Sequence, residues 1–188
     1  GSFEDWTTIA GSDENTTSHT IRNLTNGTEY TLELRAKNTA VGPQASTTFR
    51  MPPAAPSGLV ATPGDEEVRL DWDDPNDHTI TGYEVSTDGG TSFAYISGSG
   101  AGTTSHTVTK LSDGSDADLT NGTEYVLALR AKNASGEGPV ASASARPRTL
   151  PAAPSGLVAT PGDSEVTLNW INPGNNTITH YEVSTDGG

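Results

Sequence analysis

Residues 119–133 read Leu119-Thr-Asn-Gly-Thr-Glu-Tyr-Val-Leu-Ala-Leu-Arg-Ala-Lys-Asn133. A turn-forming Asn-Gly pair leads into a stretch where Tyr125, Leu127, Leu129 and Ala131 fall at every second position, the period that lines one face of a strand. Val68, Leu70 and Trp72 alternate with Arg69 and Asp71 in the same way. Asp88-Gly89-Gly90 separates Tyr83–Thr87 from Ser92–Ile96, and glycine there supplies the positive φ of a tight hairpin. Short strands bounded by Gly, Pro, Asn and Asp, with no helical periodicity, predict an all-β antiparallel sandwich of two sheets.

The same blocks recur along the chain. Pro53-Ala-Ala-Pro-Ser-Gly-Leu-Val-Ala-Thr-Pro-Gly-Asp65 returns at Pro151 to Asp163, Trp72 at Trp170, and Tyr83-Glu-Val-Ser-Thr-Asp-Gly-Gly90 at Tyr181 to Gly188, each at an offset of 98. Asn26-Gly-Thr-Glu-Tyr30 returns at Asn121 to Tyr125, and Leu34-Arg-Ala-Lys-Asn38 at Leu129 to Asn133, at an offset of 95. Long identities in constant register are the signature of tandem structural units.

Taken in order, these motifs resemble the fibronectin type III family. Leu119 to Tyr125 is similar to its tyrosine corner, with Asn121 where that family usually has Pro. Trp72 after Val68 and Leu70 resembles its strand B tryptophan, and Ala131, Asn133, Gly138, Pro139 and Ser142 resemble its strand F to G pattern. The resemblance covers essentially the whole chain. It implies immunoglobulin-like, seven-stranded β-sandwich repeats strung end to end, and no fixed chemistry.

The repeat boundaries predict one complete domain, residues 53–150, with Trp72 and Tyr125 buried. Residues 1–52 supply the C-terminal half of a domain, its last four strands, and residues 151–188 the N-terminal half, its first three. The last copy stops at Ser184-Thr-Asp-Gly-Gly188, and the middle copy continues from Gly90 as Thr91-Ser92-Phe93. The chain begins Gly1-Ser2-Phe3, so residue 1 follows residue 188 in register. The expectation is one composite sandwich, with Gly188 near Gly1 and Trp170 in a shared core with Tyr30, formed with a neighbouring chain or the same one. An arbitrary cut through a longer tandem array predicts the same composite. Pro52, Pro53 and Pro56 before the complete domain, and Pro147, Pro151 and Pro154 after it, predict short stiff linkers that favour pairing between chains.

Composition narrows the function. The net charge of −14 repels phosphate backbones and anionic lipid, and no run of apolar residues is long enough to span a membrane, so nucleic acid and membrane insertion are not expected. Cysteine is absent, which excludes a disulfide framework. His19, His78, His106 and His180 lack ligand spacing. Asp71, Asp73, Asp74, Asn76 and Asp77 form the densest oxygen cluster, but without the spacing of a calcium loop, and the second copy has Ile171-Asn-Pro-Gly-Asn175 there. No nucleophile elbow or phosphate loop is present. No catalytic, cofactor-binding or metal-binding residue is therefore assigned, no cofactor is expected, and the chain is not expected to be an enzyme. Asn15, Asn23, Asn26, Asn121, Asn133 and Asn175 each open an Asn-x-Ser/Thr acceptor sequence.

These features fit an extracellular or cell-surface structural spacer, of microbial type, or a fibre module that joins copies of itself head to tail. The alternative is an accessory module binding polysaccharide or a cell-surface protein, for which Trp6 and Tyr95 are the candidate aromatic platforms. Randomised loops would mark an engineered adhesion scaffold, and the loops here are ordinary.

Overall fold

The computed structural model describes residues 6–174 and 178–186. The expected junction of Gly188 with Gly1, Phe3 and the Asn175 acceptor sequence lie outside the described residues. In chain order the strands are β1 (Glu29–Lys37), β2 (Val41–Arg50), β3 (Val60–Pro63), β4 (Val68–Asp71), β5 (Gly82–Ser86) and β6 (Ala94–Tyr95). They continue as β7 (Ser105–Val108), β8 (Tyr125–Asn133), β9 (Gly136–Glu137), β10 (Ala141–Ala145), β11 (Ser155–Pro161) and β12 (Val166–Ile171). All pair antiparallel, as expected.

Strands β3 to β10 form the complete sandwich. One sheet runs β3-β4-β7 and the other β10-β8-β5-β6, so the seven expected strands are present, and the two-residue β9 adds a hairpin tip to β8. The period-two residues meet between the sheets: Val68, Leu70, Trp72, Tyr83, Val85, Tyr125, Leu127, Leu129 and Ala131 are all buried in one core with Ile80, Ile96, Val108 and Leu119. Each such side chain contributes about 1.5–3 kcal/mol on leaving water, before ordering costs. The Trp72 and Tyr83 rings meet at 5.1 Å between centroids, tilted by 53°. Gly89 and Gly90 take φ of 76° and 97° in the β5–β6 hairpin, the conformation expected of them.

The flanking segments form fewer strands than expected. Among the described residues, the segment up to 52 gives only the β1–β2 hairpin and the segment from 151 only β11–β12. Thr16–Arg22, which corresponds to β7, and Tyr181–Ser184, which corresponds to β5, are not strands. The reason is pairing. In the complete domain β7 is held by β4 and β5 by β8, so each spans the two halves of the repeat. Here the equivalents of those partners, β12 and β1, lie at opposite ends of the sequence, and among the described residues no strand pairing joins the two hairpins. Only pairings internal to a half are made.

Candidate functional site

The open faces of the two terminal hairpins and the poles of the complete domain are the features with unspent chemistry. Trp170 is 40% exposed and Leu34 62%, whereas their counterparts Trp72 and Leu129 are 5% and 0%. Val166, Tyr181 and Val183, whose counterparts Val68, Tyr83 and Val85 are buried, are exposed as well. These side chains carry the apolar pattern of a core without the second sheet that covers it.

Yet each hairpin already holds the local motifs of the finished domain. The Tyr125 hydroxyl accepts the Thr120 N–H at 3.0 Å, and the Tyr30 hydroxyl accepts the Thr25 N–H at 2.8 Å. The Trp170 and Tyr181 rings meet at 5.0 Å as Trp72 and Tyr83 do at 5.1 Å. Gly162 donates to the Glu165 carbonyl at 2.8 Å as Gly64 donates to that of Glu67 at 2.9 Å, and Glu66 and Ser164 share a left-handed φ of 56° and 61°. These motifs form because every partner lies within a few residues.

Two asparagines close the poles of the complete domain. Asn121 Oδ1 accepts the Glu66 N–H at 2.9 Å, while its Nδ2 donates to Asp65 Oδ1 at 2.6 Å and to Thr149 Oγ1 at 3.0 Å. At the other end Asn133 Oδ1 accepts the Ser135 N–H at 2.8 Å, and its Nδ2 donates to the Met51 carbonyl at 3.1 Å. Beside it Gly138 lies so close to the incoming linker that a Cβ there would sit 2.3 Å from the Pro53 carbonyl oxygen. Pro53 and Pro147 are fully buried, so both linkers are docked where they meet the complete domain. Sequence reading found Asn121 and Asn133 only as motif members and glycan acceptors. The available signal was their recurrence, as Asn26 and Asn38, at the same offset as the tyrosine.

On the face of the second sheet, Glu84 bonds Arg130 Nη2 at 2.7 Å and Lys132 Nζ at 3.2 Å. Burial works against its charge, but the hydrogen bonds and charges of Arg130 and Lys132 outweigh that and hold the carboxyl below the usual range. Asp88 lies well below the carboxylate range because the Ser86 and Ser92 hydroxyls and the Ser92 and Thr91 N–H groups all donate to it, which fixes the hairpin turn. Burial lowers the pKa of His106, beside Leu70 across the sheet.

The other candidates are dispersed. Among the described residues no group of three His, Cys, Asp or Glu side chains could hold a metal ion. His19 and His78 are exposed, and His180 sits 3.5 Å from Glu182. In the acidic loop Asp74 accepts the Asn76 N–H and Asp77 that of Thr79, each capping a turn, while Asp71 pairs with Arg69 and Asp73 accepts the Ser57 hydroxyl. Tyr95 is exposed but lies over Gly82 and donates to the Thr81 carbonyl at 3.3 Å. Trp6 lies under the Arg35 guanidinium, 3.7 Å from its ring centroid, much as Phe93 lies 3.9 Å from that of Arg130. Neither aromatic forms a platform with the other. Asn133 has its amide committed inside the domain, whereas Asn15 and Asn23 are exposed.

No curated protein matches the chain. Among solved structures, the FN1–FN3 domains of chicken CNTN1 are similar at 20% identity and a TM-score of 0.46, over 79% of this chain and 54% of that one. The chain thus spans about half the length of that structure. FN3tt is similar at 22% identity and a TM-score of 0.38, over 52% of this chain and 97% of that one. The Clostridium perfringens spore cortex lytic enzyme SleM is similar at 19% identity and 0.41, over 59% and 36%. Residues 54–147, half of the chain, match the fibronectin type III domain. They run from the docked linker before β3 to the buried proline after β10, and on that match and this topology the chain belongs to the fibronectin type III family.

Proposed function

We propose that the chain is a non-catalytic structural module of a secreted or surface assembly, in which the 1–52 half of one copy completes the 151–188 half of another. Domains of this family commonly serve as structural or binding modules. The observation that carries the reading is the split between formed and unformed elements among the described residues: the hairpins internal to a half are paired, and the segments whose partner strands belong to the other half are not strands. Completion would bury Trp170, Tyr181, Val183, Tyr30, Leu32 and Leu34. At about 1.5–3 kcal/mol each, that is a gross gain on the order of 10 kcal/mol before ordering costs. Docked linkers disfavour folding back onto the same chain, and joining that does not close gives a filament.

Light scattering over a wide concentration range tests this. Mass should grow with concentration, and Trp170→Ala or Tyr30→Ala should return the chain toward monomer, because removing a core aromatic costs about 3–5 kcal/mol. A mass fixed at one copy at every concentration overturns the reading.

A further inference from the structure

In the complete domain, each pole is fastened by one asparagine that reaches a segment far away in sequence: Asn121 to Asp65 and Glu66, Asn133 to Met51. Their counterparts are Asn26 and Asn38. The Asn38 Oδ1 already accepts the Ala40 N–H at 2.8 Å, the same turn that Asn133 makes with Ser135, which leaves its Nδ2 as a donor not used by that turn. Among the described residues neither that Nδ2 nor the Asn26 amide has a hydrogen-bond partner. The receiving end is preset too, for Ser164 holds the left-handed turn of Glu66, which offers its N–H as a donor beside the accepting Asp163 carboxylate.

We propose that these asparagines latch one copy to the next: Asn26 of a second copy bridges the Asp163 carboxylate and the Ser164 N–H, and its Asn38 donates to the Thr149 carbonyl, the counterpart of Met51. This rests on the reading that the two halves complete one another. The latch fixes which second copy fits and in what register, because a slip of one residue takes both asparagines away from their partners. The linker after the complete domain is already tied to that domain through Thr149 Oγ1 and Arg148 N–H, and it gains its tie to the next domain only when the second copy arrives, so assembly and stiffening of that joint are one event. Two bonds of the complete domain have no counterpart: Arg148 N–H donates to the Gly64 carbonyl at 2.8 Å, where the equivalent residue is Pro53, which has no N–H, and Asn121 Nδ2 donates to Thr149 Oγ1 at 3.0 Å, where the equivalent is Ala54, which has no hydroxyl.

The test uses the full chain and the concentration at which mass begins to grow. Asn38→Asp keeps the acceptor that makes the local turn and removes the donor, so this concentration should rise about five- to tenfold. Asn26→Asp sets a carboxylate against Asp163 and should raise it about tenfold or more, while Asn26→Asp with Asp163→Asn restores a donor–acceptor pair and should recover most of the loss. Gln44→Ala, on the outer face of β2, should match the unaltered chain. If the unaltered chain never assembles, the complementary-halves reading falls and the latch with it. If it assembles and both aspartate variants assemble equally well, or the double variant is no better than Asn26→Asp, the latch is wrong and the complementary halves stand.

Discussion

Gly138 has no room for a side chain, since a methyl group would meet the Pro53 carbonyl. Gly138→Ala should therefore push the linker off the domain and lower stability by about 1–3 kcal/mol, read as a lower urea midpoint. Two titrating residues set expectations with pH. The folded state lowers the Glu84 pKa, so its stabilisation is present above the ordinary carboxylate value of about 4.3 and is lost as pH falls through the folded value. The stability gap between the native chain and Glu84→Gln should narrow on acidification. His106 is also lowered, so below its ordinary value of about 6.5 the folded state resists a proton the unfolded chain accepts. Melting temperature should fall as pH drops through that window, and less so in His106→Gln. At this scale Trp72, Tyr125 and Leu129 were legible, because burial on one strand face has a period. The role of Asn133 was not: its bond to Met51 spans 82 residues and follows no periodicity.

Hairpins and cross-half strands separate cleanly. The β1–β2 and β11–β12 hairpins were readable from alternation and turn residues, and both form. The counterparts of β5 and β7 carry the same alternation yet are not strands, because a strand is a property of a pair and their partners belong to the other half. Amide exchange should report this directly. Residues 16–22 and 181–184 should exchange fast in dilute chain and slow markedly once copies assemble, while β4 and β8 should be slow throughout. The acidic loop between β4 and β5 is the densest oxygen cluster of the sequence, but Asp74 and Asp77 cap the loop's own turns and Asp73 ties it back to Ser57. Adding calcium should accordingly leave the melting temperature nearly unchanged.

Charge acts on the whole molecule. Residues 1–52 carry six acidic and four basic side chains, and residues 151–188 four acidic and none basic, so the two halves repel at long range. Salt near 0.15 M screens charges beyond about 8 Å, and raising it should promote assembly, visible as growth in mass at lower protein concentration. Fold class was legible in the sequence through the strand-length alternation and its turn residues. How much of each half folds unaided was not, because that depends on which contacts are local. The segment that waits for β12 has a last consequence. Arg22 stands exposed on backbone with no strand to hold it, the kind of site a trypsin-like protease binds in extended form, while Arg130 and Lys132 are locked into β8. A copy not yet joined to a neighbour would be cut first at Arg22 and so lose residues 1–22, the part of its half that would pair with β12, while keeping the β1–β2 hairpin.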